Sequence, residues 1–270
     1  MKAEKYRLFE THAHLDHKLY KGQGPALAKE LYESGIDWIV IPAITEQSNQ
    51  KSRELFDEEN YPFVLFAAGI HPKVASSIKD DNFDWDKLTG YLSEKRTVAV
   101  KTGLDLSTKE LTDKNILNQK HVLRHLLKLA DKHNLPAVLH VRDAIPEIIE
   151  EIGLSRFMGE LEVHCFLYDE TVMNKLIQAG VHYFGIGGGV TFRENIALRE
   201  AVAKMPLESI LLETDSPFQK PYLYDQKLNT PYSLVQIAEE IAIIKGITIE
   251  MVMSATYDNS IRFFGLNNDN

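Results

Sequence analysis

The sequence predicts an α/β protein, a single (β/α)8 barrel of the TIM type. Short apolar runs alternate with longer amphipathic ones, the short runs number eight, and polar residues of one chemical kind close nearly all of them. Strands are expected over 7–11, 38–44, 63–70, 97–101, 137–141, 162–166, 183–187 and 209–213. Helices are expected over 26–34, 49–58, 84–94, 118–133, 145–152, 169–180, 194–205, 231–245 and 249–264. An open doubly wound sheet competes with the barrel, but no glycine-rich dinucleotide turn follows the first strand. Such barrels run to this size as one domain, so residues 1–270 are expected to form a single unit. No linker, low-complexity segment or internal repeat divides it.

Composition excludes several classes. At 44% hydrophobic and 26% charged residues, the chain has material for a large core. A lone cysteine, Cys165, excludes an internal disulfide framework and fits a reducing compartment, so a cytoplasmic location is expected. The first residues carry charges and no apolar signal region, and no run reaches the length of a membrane span. A net charge of −9 argues against broad wrapping of nucleic acid. It leaves room for a nucleic-acid substrate that enters a local pocket. No membrane association and no stable protein partner are expected. The pair Asp80-Asp81 and the run Asp57-Glu58-Glu59 read as solvated loop charges, and the tail 267–270 as frayed.

The chemistry lies at the strand ends, where active sites of such barrels are built. The first strand leads into Thr11-His12-Ala13-His14, two imidazoles one residue apart and therefore on one face of an extended chain. The third ends in Gly69-Ile70-His71-Pro72, the fourth in Lys101 and Asp105, the fifth in His140, Arg142 and Asp143. The sixth gives His164, the seventh a glycine run from Gly185 to Gly189, the eighth Glu213 and Asp215. Neutral imidazole is the commonest metal-ligating side chain. Histidines 12, 14, 140 and 164 with Asp215, all at one end of the barrel, therefore point to a metal site. His17, His121, His125, His133 and His182 read as ordinary core or surface residues. The glycine run fits a phosphate cradle or a tight turn equally well. Cys165 would face away from the site on a strand and reads as packing.

Taken together these residues resemble the TatD-like metal-dependent hydrolases of the amidohydrolase superfamily. The resemblance rests on Thr-His-Ala-His-Leu-Asp (11–16), Gly-Ile-His-Pro (69–72) and Thr-Gly-Leu-Asp (102–105). It continues through His-Val-Arg-Asp-Ala (140–144), His-Cys-Phe (164–166) and Glu-Thr-Asp-Ser-Pro (213–217). Asn229 with Pro231, and Asn259, resemble two later elements of that family. The resemblance implies a barrel hydrolase with one or two divalent ions, drawn from zinc, manganese, nickel or magnesium, that activate water against a phosphodiester of DNA. The implied substrate is single-stranded DNA or an oligonucleotide. It implies that His12, His14 and Asp215 hold one ion, and that His140 and His164 hold the second. Asp215 doubles as a proton acceptor, while His71 and Arg142 bind the substrate's anionic group; the other reading of Arg142 is a salt bridge to Asp143 or Glu147.

Two departures bear on this. The family's metal-bridging glutamate is replaced by Lys101, and a further histidine by Lys73. An ammonium beside two dications is repelled. Lys101 therefore carries a carboxylate on its ε-nitrogen and bridges the ions, or stays charged beside one ion, or marks a metal-poor site. The first outcome suits a second class of reaction, hydrolysis of a small ester, lactone or amide. A non-catalytic metal-binding barrel is the third alternative.

Overall fold

The computed structural model describes residues 7–78 and 83–266. Eight strands form one all-parallel sheet in chain order: β1 (Leu8–Glu10), β2 (Ile36–Pro42), β3 (Val64–Gly69), β4 (Thr97–Asp105), β5 (Ala137–Arg142), β6 (Leu161–Val163), β7 (Tyr183–Ile186) and β8 (Ile210–Leu212). Parallel neighbours require crossovers, and helices supply them. They are α1 (Gly24–Ser34), α2 (Glu46–Leu55), α3 (Pro72–Ala75), α4 (Trp85–Leu92) and α5 (Asp113–His133). The rest are α6 (Ile145–Ser155), α7 (Glu170–Gln178), α8 (Ile196–Lys204), α9 (Leu234–Lys245) and α10 (Ile249–Phe263). The barrel read from the sequence is the one that forms. Its seam closes just past β1 and β8. Thr11 N–H donates to Leu212 O at 3.2 Å, Asp215 N–H to His12 O at 2.9 Å, and Ala13 bridges Ser216 in parallel.

Local chemistry sets the helix ends. Pro25 opens α1 and Gly35, at φ 109°, ends it. Capping boxes start α2 at Thr45 with Ser48 and α5 at Thr112 with Asn115. The second cap starts α5 at residue 113, where apolar periodicity alone begins at 118.

Strand lengths depart from expectation where it matters. β1, β6 and β8 have only three residues each, so His12, His14, His164 and Asp215 stand on the segments just beyond them. β4 runs to Asp105, not 101, and is buried throughout. Gly103, at φ 143°, keeps it paired with β5; a Cβ there would lie 2.0 Å from the His140 carbonyl oxygen. Lys101 consequently sits in mid-strand, inside the barrel.

α10 anchors the closing strand. Asn259 Nδ2 donates to Leu207 O at 2.8 Å and Ile210 O at 2.9 Å. Among the described residues no helix is long and apolar enough to cross a membrane. Asp57, Glu58 and Glu59 are exposed, as solvated charges should be. The Asp80-Asp81 pair, the N-terminal charges before Arg7 and the tail 267–270 lie outside the described residues.

Candidate metal centre

All eight side chains singled out as site residues line one cavity of about 560 Å³ at the C-terminal end of the barrel: His12, His14, His71, Lys101, His140, Arg142, His164 and Asp215. Their grouping differs from the one expected. Ligand atoms of His12, His164 and Asp215 lie within 4.8 Å of one another, and so do those of His71, Asp105 and His140. His12 and His164 meet across the barrel as parallel rings with centroids 4.0 Å apart. His14 stands farther out, with Nε2 3.5 Å from Asp215 Oδ1. His140 joins the groups: its Nε2 lies 3.2 Å from Asp105 Oδ2 and its Nδ1 3.2 Å from His164 Nε2.

The residues fit a divalent cation. His12 Nε2 and His164 Nδ1 are buried without a hydrogen-bond partner among the described residues. Burial, then the charge of Lys101, holds both imidazoles well below their usual range, so they are neutral and free to ligate. Burial, then His140 and Lys101, pushes His71 down to about 2. Burial alone would raise Asp105, but hydrogen bonds from His140 and Ser107 hold its carboxyl below the usual range. Imidazole and carboxylate donors suit zinc, manganese, nickel and magnesium in different degrees.

An acidic layer, of which the sequence pointed only to Glu213, lies beneath these side chains. Glu10, Glu162 and Glu213 stand two positions before His12, His164 and Asp215, and all three are fully buried. Two-residue alternation puts each on its ligand's side of the chain. That repeated acid-x-ligand spacing was the available signal. Glu10 Oε1 accepts from His12 N and Thr214 N at 3.0 Å each, and Oε2 from Thr214 Oγ1 at 2.7 Å. Burial nonetheless raises Glu10 to about 8, and burial likewise raises Glu162 to about 8. Gly185 of β7 makes room: a Cβ there would lie 2.3 Å from Glu213 Oε2 and 2.8 Å from Glu162 Oε1. Lys101 Nζ is buried with no hydrogen-bond partner among the described residues. Burial lowers its pKa to about 8 against the opposing pull of Glu162, Asp215 and Glu213.

Backbone geometry corrects one expectation and decides between two open readings of the glycine run. Cys165 does not face away: β6 ends at Val163, Cys165 adopts φ 50°, and the residue lines the cavity. Its N–H donates to Glu213 Oε1 at 2.7 Å, and burial holds the thiol well above its usual range. The glycine run makes a turn and does not line the cavity. Gly188 opens a 3-10 turn over Gly188–Thr191, and a Cβ on it would lie 2.0 Å from Gln219 O.

The mouth carries cations on one side. His71 caps α3 by accepting from Lys73 N at 3.2 Å, and Lys73 Nζ lies 3.5 Å from Asp105 Oδ2. Arg142 is exposed at the cavity and makes no ion pair with Asp143 or Glu147 among the described residues.

An eight-stranded parallel barrel with imidazole and carboxylate ligands converging at its C-terminal mouth defines a metal-dependent hydrolase of the barrel class. The chain belongs to the TatD related DNase family, whose profile matches residues 9–265. It is 30% identical to the uncharacterized metal-dependent hydrolase YabD of Bacillus subtilis, over 96% of this chain and 100% of that one. It is 27% identical to the 3'-5' ssDNA/RNA exonuclease TatD of Citrobacter rodentium, covering 87% of this chain and 89% of that one. The crystal structure of YJJV, a TatD homologue from Escherichia coli, superposes with a TM-score of 0.85 at 25% identity, covering 97% of this chain and 99% of that one.

Proposed function

We propose that this protein hydrolyses phosphodiester bonds of single-stranded DNA or short oligonucleotides at a divalent-metal centre. The observation that carries this reading is the convergence of both ligand groups on one cavity whose mouth holds Arg142 and Lys73. The name of the Citrobacter relative supports the substrate class. His12, His164 and Asp215, with His14 beside them, would hold one cation, and His71, Asp105 and His140 a second. The closeness of His71 to Asp105 and His140 supports a place in this second group over contact with the substrate. A bound divalent ion supplies Lewis acidity and lowers the pKa of water. Asp215 faces the cavity and accepts a proton there, then returns it to the leaving oxygen. Arg142 orients the phosphate, since a guanidinium forks onto two of its oxygens. His12 and His164, both buried, and half-buried Cys165 line the cavity beside the reacting groups.

The test is cleavage of end-labelled single-stranded DNA with added manganese or magnesium. Asp215→Asn should lower kcat about 10²- to 10⁴-fold. Equal activity in Asp215→Asn contradicts the assignment.

A second reading, hydrolysis of a small ester, lactone or amide, is favoured by one observation. The buried amine of Lys101 is lowered to about 8, which enlarges the neutral fraction that carboxylation requires. A panel of lactones, esters and amides run beside the DNA assay separates the two.

A further inference from the structure

We infer that Phe218 is the platform on which an unpaired nucleobase stacks beside the phosphodiester being hydrolysed. It would then be the residue that favours nucleotides over small esters. The inference rests on the phosphodiesterase reading above.

Phe218 is 43% exposed and lines the cavity. Single exposed apolar residues are ordinary on a protein surface, so exposure alone decides nothing. Two further features set this ring apart. The first is how firmly its backbone is held. Phe218 N–H donates to Asp215 O at 2.9 Å, and its carbonyl accepts from Asn229 Nδ2 at 2.7 Å. Asn229 is fully buried; the same nitrogen donates to Thr214 O at 2.9 Å, and Ser233 Oγ donates to Asn229 Oδ1 at 2.8 Å. One amide therefore ties Phe218 to the backbone flanking Asp215. The ring is flanked edge-on by His17 at 5.1 Å and His14 at 6.3 Å, yet it is not covered. A rigid aromatic ring loses little conformational freedom on binding, which is what a stacking surface needs.

The second feature is what stands opposite. Phe218 follows β8, and in a ring of eight strands β4 lies across from β8. The cations at the mouth come from that far side: Lys73 after β3 and Arg142 at the end of β5. The cavity thus offers cations on one wall and a flat apolar surface on the other, with the ligand groups between them. A nucleotide has the matching polarity, an anion at one end and a flat base at the other. A small ester or lactone has no flat base to use the second wall. Stacking is tolerant of base identity, because every base has a π-face.

The experiment uses the full-length, manganese-loaded protein on labelled oligothymidylate and on the same oligomer with one abasic unit at successive positions. In the wild type, removing the base at one position should lower kcat/KM about tenfold or more, chiefly through KM. In Phe218→Ala that abasic penalty should shrink to about twofold or less, while Phe218→Tyr and Phe218→Trp keep it. Metal-free protein gives an independent readout. A 2-aminopurine base at the same position should be quenched on binding to the wild type and not on binding to Phe218→Ala. A full abasic penalty retained in Phe218→Ala, or no penalty anywhere in a wild type that cleaves the oligomer, overturns the inference and leaves the phosphodiesterase reading intact. A wild type that cleaves no oligonucleotide overturns both.

Discussion

A lysine sealed among carboxylates inside a barrel is costly unless something at the site uses it. Lys101 is 2% exposed, and its neighbours in charge are Glu162, Asp215 and Glu213. If the lysine is carboxylated, Lys101→Ala should lose most activity and regain part of it when small carboxylic acids are added. Full activity in Lys101→Ala eliminates the carboxylated bridge. Asp105 tests the second ligand group. Asp105→Asn should lower the bound metal, read by elemental analysis, by about one equivalent, because a ligating oxygen and the partner of His140 are lost together. An unchanged metal content would remove His71, Asp105 and His140 from the centre. The cavity-lining histidines were legible as a group in the sequence because each ends an apolar run at the expected rim. Glu10 and Glu162 were not, because an acid inside or before such a run looks like a solvent-facing residue. Only closure of the barrel turns that side of the strand inward.

At the scale of elements, alternation of strand and helix was readable, while strand ends were not. Strand ends depend on partners far away in sequence. β1 stops at Glu10 because the chain then pairs across the seam with β8's continuation. β4 continues to Asp105 because glycine at 103 tolerates φ 143° beside the backbone of His140. Two substitutions test this packing. Asn259→Ala would leave the carbonyls of Leu207 and Ile210 without their donor, at a cost of about 2–4 kcal/mol in urea unfolding. Gly185→Ala would drive a methyl group into Glu213 and Glu162 and should cost about 1–3 kcal/mol. That cost should be smaller in a Glu162→Ala background, because one of the two clashing carboxylates is gone. An equal cost in both backgrounds would contradict the close approach of β7 to the acidic layer.

For the whole molecule, folding is linked to protons through the same buried groups. Glu10 is raised to about 8 by burial, above the value of about 4.3 expected in the unfolded chain. Its stabilising proton is fully present below the unfolded value and is lost as pH rises toward 8. Histidines act in the opposite sense. His71 is pushed down to about 2, so stability rises with pH until the unfolded imidazole has titrated near about 6.5. Between about pH 6.5 and 8 the glutamates dominate, until Lys101, lowered to about 8, begins to act in the opposite sense, and metal-free protein should lose stability across that window. In Glu10→Gln the slope should be shallower by up to about 1 kcal/mol per pH unit. An identical slope in the variant would mean that Glu10 is ionised in the folded protein. The barrel and the cluster of polar residues at its C-terminal end were readable from one sequence because ligand-type residues recur at strand ends. The spatial grouping of these side chains into two clusters was not, because it depends on which rings face each other across the barrel.

The most direct measurement is anomalous diffraction from crystals grown with manganese, recorded at the manganese absorption edge. One peak should lie among His12, His164 and Asp215, and a second among His71, Asp105 and His140. Manganese bound only at other surfaces, with these six side chains surrounding solvent, would contradict the metal centre and the hydrolytic chemistry derived from it.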